Sequence, residues 1–232
     1  MILLIDNYDG CVYNLYQLAG TCLTEAEAKE TAAKEAAVKK AAVRKASGET
    51  TLPDIRIVRN DRITAAEIRE LAPSHIIISG GAVAPEKAGN DMEIVREMAG
   101  KCPILGVCLG FRVICSAFGG REIPLQEPMQ GKPSRILLEQ GGKTESGIFD
   151  GIPEAFMGAR YQSTSIAPES ITAPLHIIAC SEDGDIMGVE AEMQNHDTAG
   201  AAKHAPLIGV QWHPESFMSE YGMQLMRNFL NL

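Results

Sequence analysis

The sequence predicts an α/β fold: a doubly wound, mostly parallel central sheet with helices on both faces and antiparallel strands added in the second half. Three observations lead there. Short apolar runs that read as strands buried on both faces alternate with amphipathic helical stretches as far as Gly120. Beyond Gly120 the strand candidates become more polar and follow one another without helices until the last stretch of the chain. With 232 residues, 45% hydrophobic and 22% charged, there is enough apolar material for one sizeable core.

The first strand candidate is ILLID at 2–6, followed by a helix over roughly 11–20. IRIV (55–58), HIIIS (75–79) and PILGV (103–107) repeat the buried-strand pattern, with helices near 64–72, 91–100 and 109–118 between and after them. In the second half RILLE (135–139), PLHIIAC (174–180), DIMGVEAE (185–192) and PLIGVQ (206–211) read as strands, and a final helix lies near 217–230. The chain is therefore expected to be a single domain over 1–232. Two segments look inserted into it. From Thr24 to Ala46 the chain is almost entirely Ala, Glu and Lys, with a Thr24–Glu27 capping box and Glu25, Glu30 and Glu35 each four residues ahead of a lysine, which predicts a separate exposed helix over about 24–47. The polar run at 193–205 reads as a surface loop.

Charge narrows the possible partners. The sum 21 − 30 = −9, with 5% aromatics, disfavours nucleic acid and anionic membrane, leaving a small metabolite or a protein. No apolar run approaches the roughly 20 residues of a membrane helix, and the opening reaches Asp6 too soon for a signal peptide, so a cytoplasmic location is expected. The six cysteines (11, 22, 102, 108, 115 and 180) include no CxxC pair, which favours neither a disulfide framework nor a metal site.

The sharpest chemical signal is GVCLG at 106–110, where a strand candidate runs straight into a helix candidate with a cysteine at the junction. A strand-to-helix turn of this kind lifts a nucleophile out of the sheet, and only small neighbours such as Gly106 and Gly110 fit beside it. The helix N-terminus favours negative charge there, and the Leu109 amide points where an oxyanion would form. Alone, the pattern fits a small buried hydrophobe equally well. GVQWHPES at 209–216 supplies what a thiol nucleophile needs, because Pro214 favours an extended segment in which His213 and Glu215 project to the same side. By itself that pair could be a surface ion pair; together with the cysteine turn it reads as base and orienting group. HIIISGG (75–81) ends a strand in two glycines, and the Gly81 amide could be a second oxyanion donor or the glycines could merely turn the chain.

These segments together resemble the class I glutamine amidotransferases, in particular the glutaminase subunits of anthranilate and aminodeoxychorismate synthases. The residues carrying the resemblance are ILLIDNYD (2–9), VRND (58–61), IISGG (77–81), PEKAG (85–89), PILGVCLG (103–110), FGG (118–120), GK (131–132), RYQS (160–163), GVQWHPES (209–216) and LMRNFL (225–230). The resemblance implies a flavodoxin-like topology, catalysis by Cys108, His213 and Glu215, an oxyanion hole at Gly81 and Leu109, and substrate contacts from Gly81, Leu109, Arg112, Ser163 and Thr164. It further implies glutamine as substrate, no cofactor or metal, and a larger chorismate-using synthase subunit that receives the ammonia.

The chain also departs from the family pattern. Phe111 and Arg112 stand where the family elbow continues with histidine and glutamine, and Arg112 could hold the substrate carboxylate or fill the pocket. Gly80, Ala82 and Val83 replace proline, proline and glycine, so a left-handed backbone at Val83 would be strained. Gln130 and Gln162 stand at usual histidine positions, and Gly10 and Cys11 replace serine and phenylalanine. Two further readings follow from the departures: an impaired amidotransferase fold kept in a binding or regulatory role, or a free-standing γ-glutamyl hydrolase using Arg112 as a carboxylate clamp.

Overall fold

The computed structural model describes residues 1–38, 54–191 and 204–232, with the side chains of 27–38 left aside. In chain order the elements are β1 (Ile2–Asp6), α1 (Val12–Val38), β2 (Ile55–Arg59), α2 (Ala65–Leu71), β3 (His75–Ile78), α3 (Asp91–Met98), β4 (Ile104–Val107), α4 (Leu109–Ala117), β5 (Glu122–Leu138), β6 (Ala155–Ile166), β7 (Leu175–Ser181), β8 (Ile186–Ala191), β9 (Leu207–Val210) and α5 (Gly222–Leu230). They form one nine-stranded sheet in the order β2-β1-β3-β4-β9-β8-β7-β5-β6. The pairs from β2 through β9 are parallel, and those from β9 through β8, β7 and β5 to β6 are antiparallel. This is the mixed, doubly wound sheet the sequence predicts.

Strand periodicity divides the core between the two faces. Leu4, Ile77, Leu105 and Ile208 point into a cluster with Val12, Leu15 and Ala19 of α1 and Leu225, Met226 and Phe229 of α5. Their neighbours Leu3, Ile76, Ile78, Ile104 and Leu207 point the other way, onto Ile68 of α2, Ile94 and Val95 of α3, and Val113 and Ile114 of α4. Because both faces are covered, these strands are apolar at every position except the ends at Asp6 and His75 and show no alternation in sequence. Among the described residues no helix is long and apolar enough to cross a membrane.

Three expectations are corrected. No helix begins at Thr24: α1 runs unbroken from Val12 to Val38, and the Thr24 hydroxyl donates to the Gly20 carbonyl one turn back instead of capping. No proline interrupts 12–38, and the isolated Gly20 costs about 1 kcal/mol, which the packed stripe Val12, Leu15, Ala19 and Cys22 outweighs. Residues 39–47 of that predicted helix, and 193–203 of the predicted loop, lie outside the described residues. Next, the second half begins earlier than RILLE, with β5 starting at Glu122, and β6 has no counterpart among the predicted strands. Pro124, Pro128 and Pro133 hide β5, whose register with β6 shifts between Pro124 and Met129 and again around Gly131, at φ +68°. Finally, the last helix starts at Gly222, not near 217.

One buried group gives the fold a pH dependence. Asp91, the first residue of α3, is fully buried and neither carboxylate oxygen has a hydrogen-bond partner of good geometry. Burial pushes its pKa up to about 7, against a smaller opposing pull from Asn7. A folded-state value above the unfolded one means that stability from the bound proton is fully present below the unfolded value and is lost as pH rises through about 7. Asp91→Asn should therefore stabilise the protein at pH 8 relative to wild type, by up to a few kcal/mol, and by less at pH 5. Thermal unfolding of both proteins at the two pH values measures this; parallel pH profiles would refute it.

Candidate active site

The site forms where β1, β3, β4 and β9 end, the edge at which ligands bind in open parallel sheets. β4 stops at Val107, and Cys108 follows with φ +54° and ψ −100°, a conformation rare outside glycine, immediately before the first residue of α4. Its amide donates to the Val210 carbonyl at 2.9 Å, so β9 holds the turn from one side. Glycine is required on both flanks: a Cβ on Gly106 would lie 2.5 Å from the Gly110 backbone, and one on Gly110 would lie 2.4 Å from the Ile78 carbonyl oxygen. The predicted elbow is therefore present, with a strained cysteine at its tip.

β9 brings the second component. It pairs in parallel with β4, Val107 opposite Val210, so the chain leaving β9 emerges beside Cys108 although the two are about a hundred residues apart in sequence. Trp212 anchors the exit by packing on Phe149 and Phe156. His213 is then fixed at its backbone: its amide donates to Ala159 at 3.0 Å, and its carbonyl accepts from the Ser219 hydroxyl at 2.6 Å. Its ring Nδ1 lies 2.5 Å from Glu215 Oε1, with both side chains almost fully buried, and Tyr161 packs edge-on to the ring at 4.9 Å. The expected pairing of His213 with Glu215 thus forms, through a turn and not an extended strand.

Electrostatics poise this ring for proton transfer. Burial opposes the imidazolium, but the nearby Cys108 sulfur and the hydrogen bond and charge of Glu215 together outweigh it and hold the His213 pKa well above its ordinary value. Nε2 is buried without a hydrogen bond of good geometry, so the influence of Cys108 is one of proximity. Such contacts commonly tighten only when substrate is bound.

Cys108 and His213 open onto a pocket of about 480 Å³, a size suited to a small metabolite. Gly81, Arg112, Ser163 and Thr164 line it too, whereas Leu109 is fully buried and Glu215 stands behind His213. The loop after β3 is pressed onto this wall. A Cβ on Gly81 would lie 2.7 Å from Leu109 Cδ2, and one on Gly80 would lie 3.1 Å from His213 Cε1. Asn7 holds the loop through Ser79, its amide donating to the hydroxyl at 3.0 Å and its side chain to the carbonyl at 3.1 Å.

Arg112 is tied down rather than free. Nη1 donates to Glu122 at 2.6 Å and to Thr164 at 3.3 Å, while Nη2 donates to the carbonyls of Gly81 and Val83 at 3.3 and 3.4 Å. Its side chain is 10% exposed and its charge is matched by Glu122, so it braces the 81–83 loop against α4, β5 and β6. Val83 carries no strain, since its backbone is not left-handed. Sequence reasoning did not single out Tyr161, Glu122, Cys11 or Gln162 as site residues. Gln162 has a buried Oε1 without a partner beside the pocket, and only its place in RYQS hinted at a role.

Comparison with known proteins agrees with this geometry. The family model for class-I glutamine amidotransferases matches residues 3–232. The chain is 36% identical to the aminodeoxychorismate synthase component 2 of Escherichia coli, covering 100% of both chains. It is also 36% identical to the aminodeoxychorismate/anthranilate synthase component 2 of Bacillus subtilis, over 99% of this chain and 95% of that one. It is 36% identical to the bifunctional protein TrpGD of Thermotoga maritima, of which it spans only 32%. A solved structure from Thermoplasma acidophilum, ascribed to a GMP synthase, superposes with a TM-score of 0.64 at 19% identity, over 99% of this chain and 92% of that one, which speaks for the fold alone.

Proposed function

The chain belongs to the class I glutamine amidotransferases, and from that premise we propose that it is a glutaminase subunit that releases ammonia from glutamine for a larger chorismate-using subunit of an anthranilate or aminodeoxychorismate synthase. The observation that carries the reading is the convergence of Cys108 with the His213–Glu215 pair in one pocket, brought about by the parallel pairing of β4 with β9.

In this reading the Cys108 sulfur attacks the side-chain amide carbon of glutamine as His213 takes the thiol proton. The amides of Gly81 and Leu109 stabilise the oxyanion, and α4 adds the favourable end of its dipole. His213 then protonates the departing nitrogen, the C–N bond breaks, and ammonia leaves a glutamyl thioester. A water molecule, losing its proton to His213, cleaves that thioester to glutamate and returns the thiol. Glu215 orients the ring and stabilises its charged form. Gln162 Oε1 offers an acceptor for the ammonium group of glutamine, and Ser163 and Thr164 complete that wall. Arg112 serves the substrate by bracing the Gly81 loop, and its pairing with Glu122 speaks against an open carboxylate clamp of the kind a γ-glutamyl hydrolase would use.

Ammonia is mostly protonated near neutral pH and then no longer nucleophilic, so it must pass to the partner sheltered from water. The names of the full-length relatives support a synthase component in that role. A reactive thiol among six free cysteines suits the reducing cytoplasm. A glutamine-mimicking alkylating agent should label Cys108 alone among the cysteines, and a chorismate-binding partner should stimulate glutamine hydrolysis. Absence of both labelling and hydrolysis with the partner saturating would overturn the proposal in favour of a purely binding role.

A further inference from the structure

The catalytic pocket contains a second thiol. Cys11 lies on the loop between β1 and α1, lines the pocket together with Cys108 and His213, and is half-buried. One donor atom each from Cys11, His213 and Glu215 lie within 4.8 Å of one another, and Cys108 is not part of that cluster. The cluster also carries unmet polar capacity: His213 Nε2 and Glu215 Oε2 are buried without hydrogen-bond partners, and so is Asp9 Oδ2. The Asp9 oxygen borders the same ring, since a Cβ on Gly80 would lie 2.8 Å from it and 3.1 Å from His213 Cε1. A buried carboxylate oxygen left unsatisfied is costly, and a cation is the ligand that satisfies it best.

We propose that this pocket binds one thiophilic divalent cation of the Zn²⁺ class through Cys11, His213 and Glu215, and that the bound ion reversibly inhibits the glutaminase. A thiol, an imidazole and a carboxylate form a donor set suited to Zn²⁺, whereas Mg²⁺ and Ca²⁺ take oxygen donors. Tetrahedral Zn²⁺ with bonds of about 2.0–2.3 Å sets its ligands roughly 3.5 Å apart, so the widest separation in the cluster has to close by about 1 Å while the His213–Glu215 hydrogen bond opens by a similar amount to admit the ion, both within reach of side-chain rotation. The fourth position is left to a water from the open pocket, with the Asp9 carboxylate adding negative charge beside the ion. On binding, the Cys11 thiol and the His213 imidazolium each release a proton to solvent, and the neutral ring then donates its freed lone pair to the ion. No electron transfer is involved. Inhibition follows because the metal-bound ring can no longer accept the proton of Cys108.

The inhibitory part rests on the glutaminase reading of the pocket, whereas binding is measured without it. The full-length reduced chain is titrated with Zn²⁺ against a chromophoric chelator, and with Cd²⁺ to follow its thiolate absorption. One ion per chain is expected, weakened at least tenfold in both Cys11→Ser and Cys11→Ala, and by less than threefold in Cys108→Ala. Cys11→His, which keeps a donor at that position, should restore most of the affinity and so separates loss of a ligand from loss of structure. In the wild-type protein, glutamine hydrolysis should fall with the same midpoint and return on adding a chelator. The proposal is overturned if no ion binds, if binding is indifferent to Cys11, if it is lost with Cys108 instead, or if hydrolysis persists with the ion bound. Binding by an otherwise inactive chain would overturn the glutaminase reading while leaving the ion site standing.

Discussion

Cys108→Ala should abolish glutamine-dependent product formation, by at least roughly 10⁴-fold, while the partner's use of added ammonia is unchanged. The size of the loss follows from the role proposed for the sulfur: in that mechanism no thioester forms without it, and the buried His213–Glu215 pair has no proton to accept. Ammonia from solution enters after the glutaminase step and does not need this pocket. The same position tests the strain at the elbow. Cys108 has φ +54°, and an alanine there keeps the Cβ that makes this conformation unfavourable, so Cys108→Ala should unfold close to wild type. Cys108→Gly removes the Cβ and relieves on the order of 1–3 kcal/mol of strain, which exceeds its own cost in chain entropy of about 0.5–1 kcal/mol. The glycine variant should therefore be equally inactive and at least as stable as wild type. Kinetic assays with glutamine and with ammonia, together with thermal unfolding, measure all three outcomes. Residual glutamine-dependent activity within a hundredfold of wild type would remove Cys108 from the mechanism.

The second large effect is expected at a residue outside the lining of the pocket. Gly222 opens α5 with its backbone against the 213–215 turn, and a Cβ there would lie 1.9 Å from the Pro214 carbonyl oxygen and 2.8 Å from its carbon. Backbone on both sides leaves nothing to yield except the turn or the helix. At a helix start alanine would ordinarily be the better residue by close to 1 kcal/mol, so the prediction runs against intrinsic propensity. Gly222→Ala should cost about 3 kcal/mol, lowering Tm by roughly 6–12 °C for a chain of this size. Because Pro214 lies between His213 and Glu215, the same displacement should uncouple the ring from its carboxylate and lower kcat even at temperatures where the variant stays folded. Unchanged Tm and unchanged kcat would show that α5 can shift without disturbing the turn.

How much of this was legible in the sequence depended on the range of the interaction. Apolar runs such as ILLID and PILGV announce buried strands because both sheet faces are covered, and the elbow at 106–110 is readable because its geometry demands glycines beside the cysteine. His213 and Glu215 could be paired from sequence since they are two residues apart. Where the reading failed, a competing local signal was stronger than the true one: the Thr24–Glu27 pattern resembled a helix start although the apolar stripe of α1 carries the helix through it, and the prolines of β5 masked a strand whose bulges accommodate them.

By itself, then, the sequence determined the alternation of strands and helices, the cysteine at a strand-to-helix turn, and a histidine close to a carboxylate, all consequences of side chains a few residues apart, although the last pair meets through a turn and not by the period of a strand. The tertiary structure alone decided which distant groups meet. It set β9 beside β4, bound Arg112 to Glu122 when a free clamp was conceivable, and brought Cys11 to the His213–Glu215 pair although the cysteine spacings pointed to no metal site. It also made Gly222 indispensable to a turn it does not belong to. The reason is physical: such contacts are fixed by strand order and close packing between different segments of the chain, whether eight residues apart or about a hundred, and they leave no periodic trace along the sequence.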